Sequence, residues 1–236
     1  MIIPIYQPLG SSTHLLARKI GEIYKTKATH TGTLDPMAEG VVVVLTDQDR
    51  FLKSTLSDWQ KTYEFKIVWG VSTDTHDLLG KIETEDLAVQ PDMHALEDIQ
   101  TTFLGPQLQE IPTFSAKRSQ EVQFSNITIF DLAHTSTQLI SAQEIVVQLN
   151  QVIPKLTNDF RQESILKNWH NWFKTLPNQE KTQLLITTHT ARTSKRTYIR
   201  GLVRDLSIKI KIPATTFHIN RTANGSYTSK DCTCLV

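Results

Sequence analysis

Five consecutive residues, Val41 to Leu45, are aliphatic, and the first four are valine. Branching at Cβ stiffens χ1 and suits a pleated strand. A run with no polar alternation reads as a strand buried on both faces. It is the longest strongly apolar stretch of the chain, far short of the roughly 20 residues that span a bilayer. Just before it stands the turn-rich segment THTGTLDP, residues 29–36, so a buried strand is entered from a loop rich in Thr, Gly and Pro.

The surrounding segments mix two periodicities. Ser11 or Ser12 can cap a helix reaching about Tyr24, with Leu15, Leu16, Ile20 and Ile23 on its buried side. Tyr63, Phe65, Ile67 and Trp69 recur every second residue, as in a half-buried strand. After the turn-rich stretch Gly70 to Gly80, a strand is expected near Lys81–Thr84, a short amphipathic helix over Met93–Phe103, and a strand over Val122–Leu132. Ser141-Ala-Gln-Glu144 is a capping box ahead of Ile145, Val146, Leu149 and Ile153. Phe160, Ile165, Leu166, Trp169, Trp172 and Phe173 follow at helical spacing, aromatic residues read as core. Leu184–Thr188 returns to strand, Tyr198–Leu206 reads as helix, and Thr215–Tyr227 as a strand or hairpin turning at Asn224-Gly225. Strands and helices without regular βα alternation give an α+β class, a mixed chain in which residues 141–180 form a helical insertion.

With 236 residues, 39% of them hydrophobic, the chain can bury a core, which excludes a wholly disordered or collagen-like polymer. MIIPIYQPLG at the start has no basic n-region, so no secretory signal is expected. Cys232 and Cys234 are too few for a disulfide framework, and a C-x-C pair without a second Cys/His cluster is not a zinc signature. A soluble protein of a reducing compartment, the cytoplasm, is expected. The net charge of +1 conceals a split. Residues 74–110 carry nine acids against Lys81, a net of −8, and residues 186–230 nine bases against Asp205, a net of +8. Either one face attracts phosphates or two solvated faces differ in sign.

An isolated Leu-Asp-Pro such as Leu34-Asp35-Pro36 is ordinarily an Asx-type turn. No second carboxylate stands at a glycosidase spacing, and no Gly-rich phosphate loop is present. Asp35 gains meaning from its neighbours. His30 and the eleven residues Thr31-Gly-Thr-Leu-Asp-Pro-Met-Ala-Glu-Gly-Val41 closely resemble the catalytic loop of the TruB family of RNA pseudouridine synthases. Four more stretches resemble that family's motifs in order. They are Lys61-Thr62-Tyr63 with Gly70 and Thr73–Gly80; Ile111-Pro-Thr-Phe-Ser-Ala-Lys117; Thr197-Tyr198-Ile199-Arg200 with Arg204-Asp205-Leu206; and Arg221-Thr222 with Gly225.

The resemblance implies a pseudouridine-synthase fold, a largely antiparallel mixed sheet flanked by helices. It implies isomerisation of uridine to pseudouridine, expected at uridine-55 in the T loop of tRNA. The N-glycosidic bond breaks and the ribose rejoins at C5 of the same base, with neither metal nor organic cofactor. On the family pattern Asp35 is the nucleophile and Arg200 its ion-pair partner, and an opposite charge nearby favours an ionised carboxyl. Tyr63 matches the aromatic that stacks on the extruded uracil, Tyr198 a pocket-lining residue, Ile219 an apolar residue near the base, and His30 a histidine near the displaced nucleotide. Lys117 closes the third motif. Arg192, Lys195, Arg196, Lys209 and Lys211 are candidates for phosphate contacts. A monomer acting on the tRNA T arm, with no membrane and no protein partner, is expected. The alternative is an RNA-binding or RNA-folding protein on the same scaffold.

The chain departs from the pattern in three places. Gln7 stands where the family's first motif has a lysine, the RNA-closing segment after Lys117 looks truncated, and residues 141–180 lie outside the match. One catalytic domain over 1–236, without a C-terminal accessory RNA-binding domain, is the expected organisation.

Overall fold

The computed structural model describes residues 1–115, 122–157, 161–179 and 181–233. In chain order the elements are β1 (Ile2–Gln7), α1 (Thr13–Ile23), β2 (Ala28–His30), β3 (Ala38–Thr46), α2 (Lys53–Ser57), β4 (Lys61–Trp69), β5 (Val71–Thr73) and β6 (Ile82–Glu85). There follow α3 (Met93–Thr101), β7 (Gly105–Glu110), β8 (Phe124–Ser141), α4 (Ala142–Val152), α5 (Gln162–Thr175), β9 (Gln183–Thr193), α6 (Ile199–Ile210), β10 (Ala214–Asn224) and β11 (Tyr227–Thr228). The main sheet runs β1-β3-β10-β4-β9-β8-β7, with β2 added to β3 and β11 to β10. Among these strands only β3 and β10 pair in parallel; the other ladders are antiparallel. β5 and β6 form a separate antiparallel ribbon. The mixed, mainly antiparallel α+β architecture expected from the sequence is present.

The aliphatic run lies in β3, and all five of its side chains are fully buried. Successive side chains of a strand point to opposite faces. Val42 and Val44 accordingly join the cluster under α1 and α6, while Val43 and Leu45 meet Leu56 on the other face, bordered by Ile2, Trp59 and Tyr227. At the entry to β3, Gly40 has φ +119°, and a Cβ there would lie 2.3 Å from the carbonyl oxygen of Arg221 on β10. Only glycine allows the strands to approach so closely.

Ser12 caps α1, its side chain accepting from the Leu15 N–H, as the sequence suggested. The buried stripe differs from expectation: it is Thr13, Ala17, Ile20 and Gly21, while Leu15 and Leu16 are half-buried and Ile23 is exposed. The chain doubles back under the last turn, where a Cβ on Gly21 would lie 2.7 Å from the Thr26 carbonyl oxygen, so small residues face that side. β1 and β7 had no sequence signal. They hold Pro4 and Pro106, and both end the strand order, where a missing N–H is tolerated.

The capping box at Ser141 and Glu144 is formed, and α4 and α5 stand between β8 and β9. Their apolar faces, with Ile145, Leu149, Ile165, Trp169 and Trp172, pack with Val71, Leu78 and Leu79 of the β5–β6 region. Trp169 Nε1 donates to the Gly80 carbonyl at 2.9 Å, and Asn168 Oδ1 accepts from the Ile82 N–H at 2.8 Å. The helical pair thus buttresses the ribbon and its loop. Phe160 lies outside the described residues. Among the described residues no helix is long and apolar enough to cross a membrane.

His189, fully buried in β9, stacks on Phe65 and is bonded by Gln100 Nε2 at 2.6 Å. Burial, with a smaller contribution from His134, pushes its pKa down to about 3. Between that value and the ordinary 6.5 the unfolded chain binds the proton and the folded chain does not. Stability therefore falls as pH drops through this window, by roughly 1.4 kcal/mol per pH unit for this one group. Denaturant titrations at pH 7 and pH 4.5 should show the fall, and His189→Gln should lessen it, leaving the part due to His30 and His76, which burial lowers to about 4 each.

Candidate active site

The loop between β2 and β3 is pinned along its length. Thr31 N–H donates to the Val43 carbonyl at 3.0 Å, and the Thr31 hydroxyl accepts from Asn224 Nδ2 at 3.1 Å. Arg221, itself buried, donates to the carbonyls of Gly32 at 3.2 Å and Val41 at 2.7 Å. Leu34 N–H donates to the Thr13 hydroxyl at 2.9 Å, and that hydroxyl donates to Gln7 Oε1 at 2.6 Å. Gln7 is fully buried, and its Nε2 donates to the Ser11 carbonyl. A neutral amide is therefore satisfied where a lysine would bring a buried charge. Thr13→Val removes both partners at once and should lower stability by about 1–3 kcal/mol, read from denaturant unfolding.

Asp35 emerges from this held backbone. Arg200 Nε donates to Asp35 Oδ2 at 2.9 Å and Arg200 Nη2 to Oδ1 at 3.1 Å, a bidentate pair across 165 positions of sequence. Two further donors of the guanidinium are used: Nη1 reaches the Thr75 carbonyl at 2.8 Å and Nη2 the Phe114 carbonyl at 3.0 Å. Asp77, also buried, stands 3.5 Å from Arg200 Nε. The side chains of Arg200 and Asp77 are 3% and 5% exposed, whereas that of Asp35 is 30% exposed. Of these three charges only Asp35 can meet a substrate.

The electrostatics follow the burial. Burial pushes the Asp77 carboxyl above the ordinary aspartate range, opposed by Arg200 and the Thr75 hydroxyl. Burial alone would weaken the Arg200 charge, but Asp35 and then Asp77 outweigh it and hold the guanidinium pKa above that of free arginine. The Tyr198 phenol is raised by burial and then by the charge of Asp35, with Ser115 and Arg200 opposing. Tyr198 itself is fixed by Gln109, which accepts from its N–H at 2.8 Å and donates to its carbonyl at 3.0 Å.

Tyr63 on β4 is 8% exposed and opposes Arg221 on β10 and Ala191 on β9. Ile219 on β10 opposes Ala38 of β3 and Phe65 of β4. Both belong to the apolar cluster that contains Leu34, beside Asp35. His30 ends β2. Its buried Nδ1 has no partner among the described residues. Burial, then Lys53, His14 and Arg221, push its pKa down to about 4. Lys117 lies outside the described residues. Lys61, first of the second motif, is engaged by backbone, donating to the carbonyls of Ser57 and Trp59 at 2.6 Å each.

Sequence reasoning assigned no role to Asp77; its signal was a second acid inside the Thr73–Gly80 motif. Several of the basic candidates for phosphate are engaged within the fold. Arg192 donates to Gln60 at 2.8 Å and stacks on Phe130, Lys195 pairs with Asp58, and Lys209 donates to Thr102 at 2.7 Å. A groove of about 900 Å³ is instead lined by His30, His14, Arg18, Lys25, Lys27 and Lys53, from α1, β2, the turn between them and the start of α2. Among the described residues no three His, Cys, Asp or Glu side chains gather as a metal ion would require.

Comparison with known proteins identifies the family. Residues 18–154, more than half of the chain, match the family described as TruB family pseudouridylate synthase (N terminal domain). The tRNA pseudouridine synthase B of Oceanobacillus iheyensis is 29% identical over 232 residues, which cover 98% of this chain and 67% of the relative. That of Deinococcus radiodurans is 29% identical over 244 residues, covering 99% and 77%. Among solved structures, a chain of a Cbf5-Nop10-Gar1 complex shares the fold with a TM-score of 0.60 at 16% identity, over 96% of this chain and 49% of that one. This chain thus spans about half the length of that solved protein, and about two thirds of the Oceanobacillus relative. With its family matched over most of the loop, sheet and ribbon that frame Asp35, the chain belongs to the TruB family of pseudouridylate synthases.

Proposed function

We propose that this protein isomerises uridine to pseudouridine in tRNA, at uridine-55 of the T loop, with Asp35 as nucleophile. The carrying observation is the bidentate Asp35–Arg200 pair, in which the carboxylate is the exposed member and the guanidinium is buried and held by four hydrogen bonds. Relatives named tRNA pseudouridine synthase B support tRNA as the substrate class.

A uridine stacked in a folded loop must first be extruded, at a cost of a few kcal/mol. In the proposed reaction the Asp35 carboxylate attacks or assists at the sugar or base, the N1–C1′ bond breaks, and the uracil stays in the closed site. The uracil turns, C5 bonds to C1′ as any bond made by Asp35 breaks and returns its electron pair to the carboxylate, and the proton lost from C5 is balanced by one gained at N1. Nothing is oxidised, and no group leaves the site, so an acid, a base and a tight pocket suffice. Tyr63 stacks on the base and assists removal of the C5 proton, its hydroxyl passing on its own proton as it takes up that one; Tyr198 and Ile219 line the pocket. The same proposal has one catalytic domain acting in the cytoplasm, as a monomer, without cofactor or protein partner.

The His30 groove supports a path for the RNA backbone. Its lysines are solvent-exposed, and phosphate contacts release counterions. Substituting Lys25 and Lys27 by Ala should weaken T-arm binding and lower the slope of log K against log salt by about 0.7–0.9 for each phosphate that is no longer neutralised. Unchanged slopes would place the backbone elsewhere.

The function is tested on a T-arm hairpin transcript incubated with the protein alone, then treated with carbodiimide and read by primer extension. A single stop at uridine-55 is expected. Tight binding with no stop anywhere would favour an RNA-folding role, and a stop at another uridine would correct the substrate position.

A further inference from the structure

Arg161 belongs to none of the motifs, and it stands at the N-terminus of α5, inside the insertion. Its backbone is left-handed, with φ 61° and ψ 30°, a region that residues other than glycine seldom occupy. Its guanidinium grips Asp74 twice, Nη1 to Oδ2 at 2.6 Å and Nη2 to Oδ1 at 3.2 Å. It also lies over the Phe114 ring, 4.3 Å from the centroid. Asp74 directly precedes Thr75, and the carbonyls of Thr75 and Phe114 are the two backbone acceptors of Arg200. One side chain of the insertion therefore ties together the two loops that orient the partner of Asp35.

We infer that Arg161 is a positioning residue for the reaction, acting through Thr75, Phe114 and Arg200 on the Asp35 carboxylate. The inference rests on the isomerase reading and adds to it what the insertion does. The guanidinium of Arg200 is a rigid planar fork, so its orientation is set by all of its acceptors together. Two of those acceptors sit on loops rather than on the main sheet. Loops drift unless tied down, and a misplacement of about 1 Å at a reacting group can cost about 100-fold in rate. Trp169 and Asn168 brace the ribbon at Gly80 and Ile82, and Arg161 carries that bracing on to Asp74 and Phe114. Arg161 and Asp74 are 33% and 19% exposed, so solvent partly screens the pair, and its loss is read at the two loops that it joins.

The experiment uses the full chain with Arg161→Met, Arg161→Lys and Asp74→Asn. Arg161→Met should slow single-turnover pseudouridine formation by about tenfold, a partial loss within the range for misalignment, while the RNA dissociation constant stays within about twofold. Arg161→Lys keeps the charge over the ring without the fork and should recover part of the rate. Arg161→Met combined with Asp74→Asn should be no slower than the worse single variant, because both break one tie. An unchanged rate, or a loss confined to RNA affinity, overturns the inference. Amide hydrogen exchange supplies a readout that needs no RNA. Arg161→Met should speed exchange at residues 74–77 and 112–115 and leave β3 and β10 as in the wild type. Unchanged exchange overturns the positioning role. If the wild type proves inactive and exchange still quickens at both loops, the tie stands and the failure falls on the isomerase reading.

Discussion

Asp35→Asn should leave T-arm RNA bound with near wild-type affinity and form no detectable pseudouridine, a loss of at least about 10⁴-fold in single-turnover rate. The substitution keeps size and shape but removes the negative charge that the Arg200 fork faces at 2.9 and 3.1 Å. A neutral amide is a poor nucleophile at carbon. It must also turn its NH₂ toward one arm of the guanidinium or leave one donor unsatisfied. The Asp35 side chain is partly exposed and Asp77 still faces Arg200 at 3.5 Å, so the variant should fold, with a lowered unfolding midpoint because the buried guanidinium loses its main counter-charge. Nucleoside analysis of digested RNA after incubation separates the outcomes. Comparable pseudouridine from both proteins would remove Asp35 from the chemistry.

Arg200 is expected to fail differently. Arg200→Met strips Asp77 of its cation while that carboxylate stays buried, and breaking a buried pair from one side costs about 3–5 kcal/mol. Asp77 is already pushed toward its neutral form by burial, so the variant relieves itself by holding a proton there. Arg200→Lys keeps a charge and keeps the protein folded, but an ammonium cannot span both oxygens of Asp35 and two carbonyls at once. A rate loss of about 100-fold or more with near-normal RNA affinity is expected for the lysine variant, comparable to removing a preorganised donor. Pairing Arg200→Met with Asp77→Leu should restore much of the stability and none of the activity, because the uncompensated charge is gone while Asp35 remains unpartnered. If Arg200→Lys were as active as the wild type, the bidentate fork would have no role in the reaction.

Much of this site was legible because its residues sit in ordered motifs. Asp35 and Arg200 are separated by 165 positions, and neither periodicity nor charge brings them together; only the shared pattern of motifs does. The buried valines of β3 and the capping box of α4 could be read locally, since side-chain spacing and a Ser-x-x-Glu signature act over a few residues. β1 and β7 were not read, because each carries a proline, a residue that only an edge strand tolerates. Asp77 was one of nine acids in a stretch of net charge −8, and its burial depends on a ribbon that α4 and α5 cover from elsewhere in the chain. Arg161 had no signal, since its partners Asp74 and Phe114 lie on two loops distant in sequence. The basic C-terminal region was visible as charge. Pairing of Lys195 with Asp58 and of Arg192 with Gln60 is a property of the fold that composition does not carry. Gln7 could be seen to replace a lysine, but its hydrogen-bonded link through Thr13 to Leu34 needed three segments in register.

Bond making at C5 is the step that distinguishes isomerisation from mere capture of an everted nucleoside, and it expels the hydrogen carried there. T-arm RNA labelled with tritium at C5 of uridine-55 alone, mixed with excess wild-type protein, reports that event as radioactivity in water. One tritium released per RNA is predicted, on the time scale at which the modified nucleoside accumulates. Saturated binding with the label still on the RNA would contradict an Asp35-centred isomerase.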